Sequence, residues 1–167
     1  MTDKKGCCFT GHRTIPRDVE PELRERLQND VKYVYSNYGI TDFYTGGALG
    51  FDTLAAEAVL ACRLVLPDIR LIVAVPCKDQ ANRWKPDDVA KYEDIKHSAD
   101  QVICLSEQYS RECMLVRNRF MVDHSSVCIC YLTRRSGGTA YTVNYAQKKG
   151  LRVYNLAWPK ERTRDQA

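Results

Sequence analysis

Three short segments of this chain combine residue types that can hold an anion. Gly11, His12 and Arg13 follow an apolar stretch near the start, GGALGFD occupies positions 46–52, and SGGT occupies positions 136–139. Glycine lets the backbone turn sharply and approach a ligand, and the free amide groups at the start of a helix attract anions such as phosphate. A tight turn explains either glycine segment alone equally well. Two such segments at one edge of a sheet favour a ligand that carries phosphate.

Side chains beside the glycines extend this hypothesis. The planar guanidinium of Arg13 matches the geometry of a phosphate, with a solvated surface charge as the alternative. His12 has the chemistry of a donor or a general acid, but no partner for acid chemistry is visible in the sequence, so we interpret it as a ligand-binding residue. Asp52 stands at the predicted start of a helix, where an N-terminal cap and an acceptor for a ribose hydroxyl are equally good explanations.

Neither glycine segment is one of the common nucleotide-binding fingerprints. No GxGxxG is present, because Gly46 and Gly47 are adjacent, and no GxxxxGK[ST] occurs in the chain. The sequence thus disfavours a P-loop NTPase and an ordinary NAD-dependent dehydrogenase. It predicts a ligand site of another type.

The spacing of apolar residues predicts the elements that must position these segments. Six strands alternate with five helices, and runs such as LIVAV, QVICL and VCICYL are almost wholly apolar, as in a parallel sheet covered on both faces. We therefore predict an α/β fold, a Rossmann-like doubly wound sheet of about six mostly parallel strands with helices on both faces. Ligands bind such sheets at the carboxyl ends of the strands, which is where the three segments lie. The predicted strands are 7–10, 42–45, 70–75, 101–105, 127–132 and 152–156, and the predicted helices are 18–38, a second that follows 46–52 and ends before Pro67, 87–99, 111–124 and 139–149.

Length and composition fit one compact unit. The chain has 167 residues, of which 44% are hydrophobic and 28% charged, which argues against a disordered or fibrous chain. We expect one nucleotide-binding domain over 1–160 and a polar tail over 161–167. The net charge of +4 permits nucleic-acid binding but does not favour it, because no long basic run is present.

The sequence also suggests where the protein works. No apolar run approaches the ~18 residues that span a bilayer, and the N-terminal residues lack the apolar core of a secretory signal. We therefore expect a cytoplasmic protein with no membrane partner.

Eight cysteines are present, most of them inside apolar runs, where a reduced cysteine packs like a small hydrophobic residue. His124, Cys128 and Cys130 form a metal-like cluster, but it lacks a second pair of ligands at zinc-site spacing. We predict core cysteines, with neither a disulfide nor a bound metal.

Several longer motifs, taken in order, resemble a known family. FTGHR, TGGALGFD, AVPC, ADQVICLS, RNRFMVDHS and SGGTAYTVNYA look like the YpsA-like proteins of the SLOG superfamily, and the resemblance covers about 6–157. The superfamily also includes DprA/Smf and the LOG-type phosphoribohydrolases. The resemblance implies a Rossmann-like fold that binds a nucleotide or a nucleotide derivative, for instance an ADP-ribose-like compound. Homo-oligomers are common among related folds, and we expect one here.

The resemblance also implies which residues form the site. Gly11, Gly46, Gly47, Gly50 and Asp52 would line its first part, and Gly137, Gly138 and Thr139 its second.

Three further residues are candidates for the site. Asn118 and Arg119 would face the ligand, although an ion pair between Arg119 and Asp123 on a solvated helix face is the alternative. Trp84 is a candidate for stacking on a base, and Tyr92 is equally well explained by core packing.

One position departs from the LOG-type pattern. Those enzymes have a catalytic Glu three residues after the Thr of their second glycine motif, and here that position is Thr142. A hydroxyl cannot replace a carboxylate in breaking an N-glycosidic bond. We therefore rank a nucleotide-binding protein, with a sensing or regulatory role as one version, above an enzyme that cleaves a nucleotide N-glycosidic bond. A DprA-like nucleic-acid binder ranks third.

Overall fold

The computed structural model describes residues 6–158, so the predicted tail at 161–167 lies outside the described residues. Within that range six strands alternate with five helices. The strands are Gly6–Gly11 (β1), Asp42–Thr45 (β2), Arg70–Val75 (β3), Gln101–Cys104 (β4), Ser125–Tyr131 (β5) and Arg152–Asn155 (β6). The helices are Glu20–Tyr38 (α1), Phe51–Arg63 (α2), Pro86–Ser98 (α3), Cys113–Asp123 (α4) and Gly138–Lys148 (α5).

All six strands are parallel, in the order β4-β3-β2-β1-β5-β6. From β1 the chain winds outwards through β2 and β3 to β4, and then returns to place β5 on the other side of β1. The predicted Rossmann-like α/β fold is confirmed. The reversal between β1 and β5 is a topological switch point, the place where open α/β sheets form a ligand-binding crevice.

Helices cover both faces of the sheet. On one face Phe9 of β1 belongs to the same core as Leu27 of α1 and Val59 of α2. On the other face Cys128 of β5 belongs to a core that includes Val143 of α5. The predicted burial of both sheet faces therefore holds for the central strands.

The fourth strand is the exception. We expected QVICL to be covered on both faces, but in β4 Gln101 and Cys104 are exposed and Val102 is 42% exposed. The prediction was wrong here because β4 lies at the edge of the sheet, paired only with β3. Apolar composition alone does not distinguish an edge strand from a central one.

Seven of the eight cysteines are buried, and all eight are free thiols. Cys128 and Cys130 pack inside the sheet, whereas His124 is exposed and its Nδ1 lies 2.8 Å from the carbonyl oxygen of Phe120. Among residues 6–158, no helix has the combination of length and apolar character that crossing a membrane requires.

Candidate functional site

A cleft of about 480 Å³ opens at the switch point between β1 and β5. We call it the switch-point cleft. One wall consists of residues that follow β1, the opposite wall consists of residues that follow β5, and α4 contributes to the floor. It brings together seven of the residues predicted from the sequence: Gly11, His12, Arg13, Asp52, Asn118, Gly138 and Thr139.

His12 is the best-defined polar group of this cleft. The side chain is 7% exposed, and its Nε2 accepts the backbone N–H of Thr133 at 3.0 Å. Because a backbone N–H can only donate, Nε2 is unprotonated and the neutral ring has its proton on Nδ1. Burial, and next the nearby Arg134 guanidinium, hold the pKa of His12 below its ordinary value, so the neutral ring is the form expected at neutral pH.

The Nδ1–H group of His12 faces another hydrogen-bond donor, the guanidinium of Arg134. Arg134 Nη2 lies 3.2 Å away, and a guanidinium offers only N–H groups. Two donors, the Nδ1–H of His12 and an N–H of Arg134, therefore face each other and cannot hydrogen-bond to one another. An anionic oxygen at this place would accept from both.

The start of α5 adds further donors to the same wall. Gly137 is the N-cap residue and no side chain caps the helix, so the N–H groups of its first turn lack the intrahelical acceptors that later residues have. A Cβ added at Gly138 would meet nothing within 4 Å. The helix start is thus open to a ligand, and its dipole favours an anion.

The first glycine segment has a different environment. A Cβ at Gly11 would lie 2.5 Å from the ring of Phe51, and one at Gly46 would lie 2.5 Å from Arg117 Nη1. Gly50 has φ +74°, and a Cβ there would collide with the carbonyl of Arg13. These glycines let elements of the protein pack closely against one another, and the open space lies instead at Gly138.

Unlike the start of α5, the start of α2 is hydrogen-bonded to neighbouring segments of the protein. The N-cap residue is Gly50, so the capping role considered for Asp52 does not hold. The N–H of Phe51 donates to the carbonyl of His12 at 3.1 Å, and Asp52 Oδ2 accepts the N–H of Ala48 at 3.2 Å. The GGALG segment therefore fastens α2 to the loop after β1.

Arg117, which sequence analysis missed, joins α4 to this network. It is 4% exposed, and its Nη1 donates to the carbonyl oxygens of Gly46 and, at 3.1 Å, Ala74. A signal was available in the sequence: Cys113, Arg117 and Met121 follow each other at four-residue steps, which places the arginine on the buried face of the helix.

Asp52 is a buried carboxyl that lines the switch-point cleft. Burial raises its pKa from 3.8 to about 6, and this effect outweighs the opposing influences of Arg117 and the Ala48 N–H. A carboxyl poised near neutral pH at a cleft is a frequent property of functional sites.

The raised pKa predicts a specific dependence of stability on pH. Between about pH 3.8 and 6 the native state holds a proton on Asp52 that the unfolded state has lost, so this contribution to stability is complete below pH 3.8 and disappears as the pH rises through 6. Relative to Asp52→Asn, the free energy of unfolding should fall by on the order of 2–3 kcal/mol from pH 4 to 7. Urea denaturation of both proteins across this range measures the difference. If the difference in the free energy of unfolding between the two proteins stayed constant or grew with pH, Asp52 would be ionised in the native state over the whole range.

The remaining predicted residues lie elsewhere. Arg119 is not among the residues lining the cleft. Its Nη1 instead donates to the hydroxyl of Tyr141 at 2.8 Å. Asp123 accepts from the hydroxyl of Tyr145 at 2.8 Å, so both of these α4 residues engage α5. Thr142 is 1% exposed, and its hydroxyl donates to the carbonyl of Gly138.

A second cleft, also of about 480 Å³, continues the first on the α2 side and shares Arg13 and Asp52 with it. Gly47, Gly50 and Trp84 line this second cleft. The ring of Trp84 packs edge-on against Tyr92, with centroids 5.1 Å apart. Tyr92 is 5% exposed, in agreement with core packing.

The profile of one protein family, the YspA SLOG family, matches residues 18–157. The chain belongs to the YspA SLOG family. Among relatives of this YspA SLOG protein is the SPbeta prophage-derived protein YoqJ of Bacillus subtilis (strain 168), which is 29% identical over 142 residues, or 78% of this chain and 83% of YoqJ. A UPF0398 protein of Bacillus thuringiensis (strain Al Hakam) is 33% identical over 135 residues, or 79% of this chain and 71% of the relative. The resemblance drawn from the motifs is confirmed.

The fold of this YspA SLOG protein is shared with DNA processing protein A of Helicobacter pylori. The two structures superpose with a TM-score of 0.66 at 18% sequence identity, covering 93% of this chain and 66% of the other. The chain thus spans just under two thirds of the H. pylori protein. At this identity the similarity establishes the fold.

Proposed function

We propose that the protein binds a nucleotide or a nucleotide derivative, with a phosphate group in the switch-point cleft. Membership in a SLOG family supports a role in binding a nucleotide or a nucleic acid. The observation that carries the proposal is the pair of donors, His12 Nδ1 and Arg134 Nη2, which lie 3.2 Å apart.

The proposal assigns a role to each wall of the cleft. A phosphate oxygen that lies beside His12 Nδ1 and Arg134 Nη2 would accept from both, and its negative charge would offset that of the guanidinium. The first amides of α5, at Gly138 and Thr139, would donate to the remaining oxygens. Arg13 would supply a second positive charge from the opposite wall. Binding without cleavage is the expected outcome, because Thr142 takes the place of the LOG-type carboxylate and is buried within its helix.

Replacing each of two adjacent arginines by glutamine, one at a time, tests the proposal. Arg134 lines the switch-point cleft, and the neighbouring exposed Arg135 is not among its lining residues. Arg134→Gln should weaken the binding of AMP or ADP-ribose roughly 10- to 100-fold, because it removes a charge-assisted hydrogen bond. Arg135→Gln serves as the matched control, since it removes the same charge beside the cleft. Isothermal titration calorimetry measures both.

The control separates a specific contact from general electrostatics. Equal losses for the two variants would mean that the arginines act only through net charge and would refute the assignment of Arg134. A single-stranded oligonucleotide that bound far more tightly than any mononucleotide would favour instead single-stranded DNA binding, the activity described for the H. pylori protein.

A second candidate function is hydrolysis of an N-glycosidic bond, and Asp52 is the observation that favours it. Its carboxyl lines the cleft and has a pKa of about 6, which suits a general acid near neutral pH. Incubation with AMP and chromatography for free adenine tests this function. Release of adenine that Asp52→Asn abolishes would establish it, and intact AMP bound by the protein would refute it for this substrate.

A further inference from the structure

A third cleft, of about 570 Å³, lies near the carboxyl end of β3. We call it the β3-side cleft. Its lining includes Asp79, Gln80, Trp84 and Tyr109. Arg13 and Met114 line both this cleft and the switch-point cleft, so one ligand that passes Arg13 can occupy both.

Two buried acceptor atoms in this lining have no hydrogen-bond partner among residues 6–158: Asp79 Oδ1 and Gln80 Oε1. The other end of the Gln80 amide is used, because Nε2 donates to the hydroxyl of Tyr92 at 3.3 Å. The Cys77 thiol lies near the Asp79 carboxyl, and burial together with this proximity raises the pKa of the thiol; a thiol is at most a weak donor to that carboxyl. Buried acceptors without donors are rare in folded proteins, because the lost hydration is not replaced.

Aromatic side chains stand beside these acceptors. Trp84 lines both the second cleft and the β3-side cleft, and its contact with buried Tyr92 orients its ring. Tyr109 is 62% exposed, so its ring is accessible to a ligand. Flat aromatic surfaces of this kind stack on nucleobases, and such stacking does not depend on which base is present.

We propose that the β3-side cleft binds the base of the nucleotide and selects bases that carry an exocyclic amino group. This inference rests on the proposed function, since the phosphate of the same ligand occupies the switch-point cleft. Trp84 and Tyr109 supply the stacking surfaces. Asp79 and Gln80 accept the amino hydrogens, which a base without an amino group does not provide.

Two pairs of nucleotides that differ only in the amino group test this selection. AMP is compared with purine riboside 5′-monophosphate, and GMP with IMP, by isothermal titration calorimetry on the full chain. In at least one pair the amino-bearing nucleotide should bind at least ~10-fold more tightly, because its partner leaves at least one acceptor buried and unpaired. Equal binding within both pairs would overturn the inference.

Ribose 5-phosphate distinguishes failure of the inference from failure of the proposed function. If ribose 5-phosphate binds and neither pair discriminates, the phosphate site stands and the base site does not. If neither ribose 5-phosphate nor any nucleotide binds, both proposals fail.

Variants then assign the selection to named atoms. Asp79→Asn replaces one acceptor oxygen by a donor and should reduce the preference within the discriminating pair to below ~3-fold. Gln80→Met removes the other acceptor at similar volume and should have the same effect, which covers the case in which Asp79→Asn does not fold. Asp94→Asn, a change at an exposed carboxylate of α3, is the matched control and should keep the preference. An unchanged preference in both cleft variants would overturn the inference.

Discussion

Replacing Arg117 by leucine is expected to lower the free energy of unfolding by about 3–5 kcal/mol. The substitution removes the donor to the carbonyls of Gly46 and Ala74, and it removes the positive charge that most favours ionisation of the buried Asp52. Buried carbonyl groups left without a donor, beside a buried carboxyl left without its nearest cation, are among the few causes of losses this large. Equilibrium denaturation in urea measures the change.

Two comparisons show whether the loss arises from this network. Arg119→Leu, on the same helix, removes one hydrogen bond to Tyr141 and should cost about 1 kcal/mol or less. Asp52→Asn should restore part of the stability of Arg117→Leu, because it removes the carboxylate left without a cation. A loss below about 1 kcal/mol for Arg117→Leu would contradict the account of α4 as fastened to the sheet by this residue.

Alanine substitutions at two glycines should separate stability from ligand binding: one should destabilise the fold, and the other should weaken AMP binding and leave the fold stable. Gly50→Ala places a Cβ against the carbonyl of Arg13 at a residue with φ +74°, and we expect a loss of about 3 kcal/mol or more in the free energy of unfolding. In Gly138→Ala the added Cβ meets no atom of residues 6–158 within 4 Å, so stability should change by less than about 1 kcal/mol. Its Cβ enters the space assigned to the phosphate, and AMP binding should weaken at least ~10-fold.

Thermal and urea denaturation, together with calorimetric titration of AMP, measure both substitutions. Gly50→Ala with native stability would mean that the first glycine segment tolerates a side chain and is not held by packing. Gly138→Ala with unchanged affinity would remove the start of α5 from the phosphate site.

The helices could be predicted because buried residues recur in them with the period of a helix, and the central strands because their apolar runs are continuous, as in the burial of β3 and β5. The stripe of α1, with Leu23, Leu27, Val31 and Val34 all buried, is an example. The wrong prediction that β4 is covered on both faces has a different cause. Whether an apolar strand is central or at an edge depends on the strand order, which local periodicity does not contain.

The candidate site was predictable only in part. Residues that directly follow β1 and β5 lie near the switch point in any such fold, so His12 and Gly138 could be anticipated. The hydrogen bond between Thr133 and His12 joins residues 121 positions apart, and no local pattern indicates it. The crowding of Gly46 and Gly50 could not be predicted for the same reason, because the atoms that crowd them belong to Arg117 and to Arg13.

Titration of the ¹⁵N-labelled protein with AMP, followed by NMR, tests the central claim most directly. Phosphate in the switch-point cleft should produce saturable shifts of the amide signals of Thr133, Gly138 and Thr139, with much smaller shifts at Gly46 and Gly47. Saturable shifts confined to the 46–50 segment, with the signals of 133–139 unchanged, would contradict the claim.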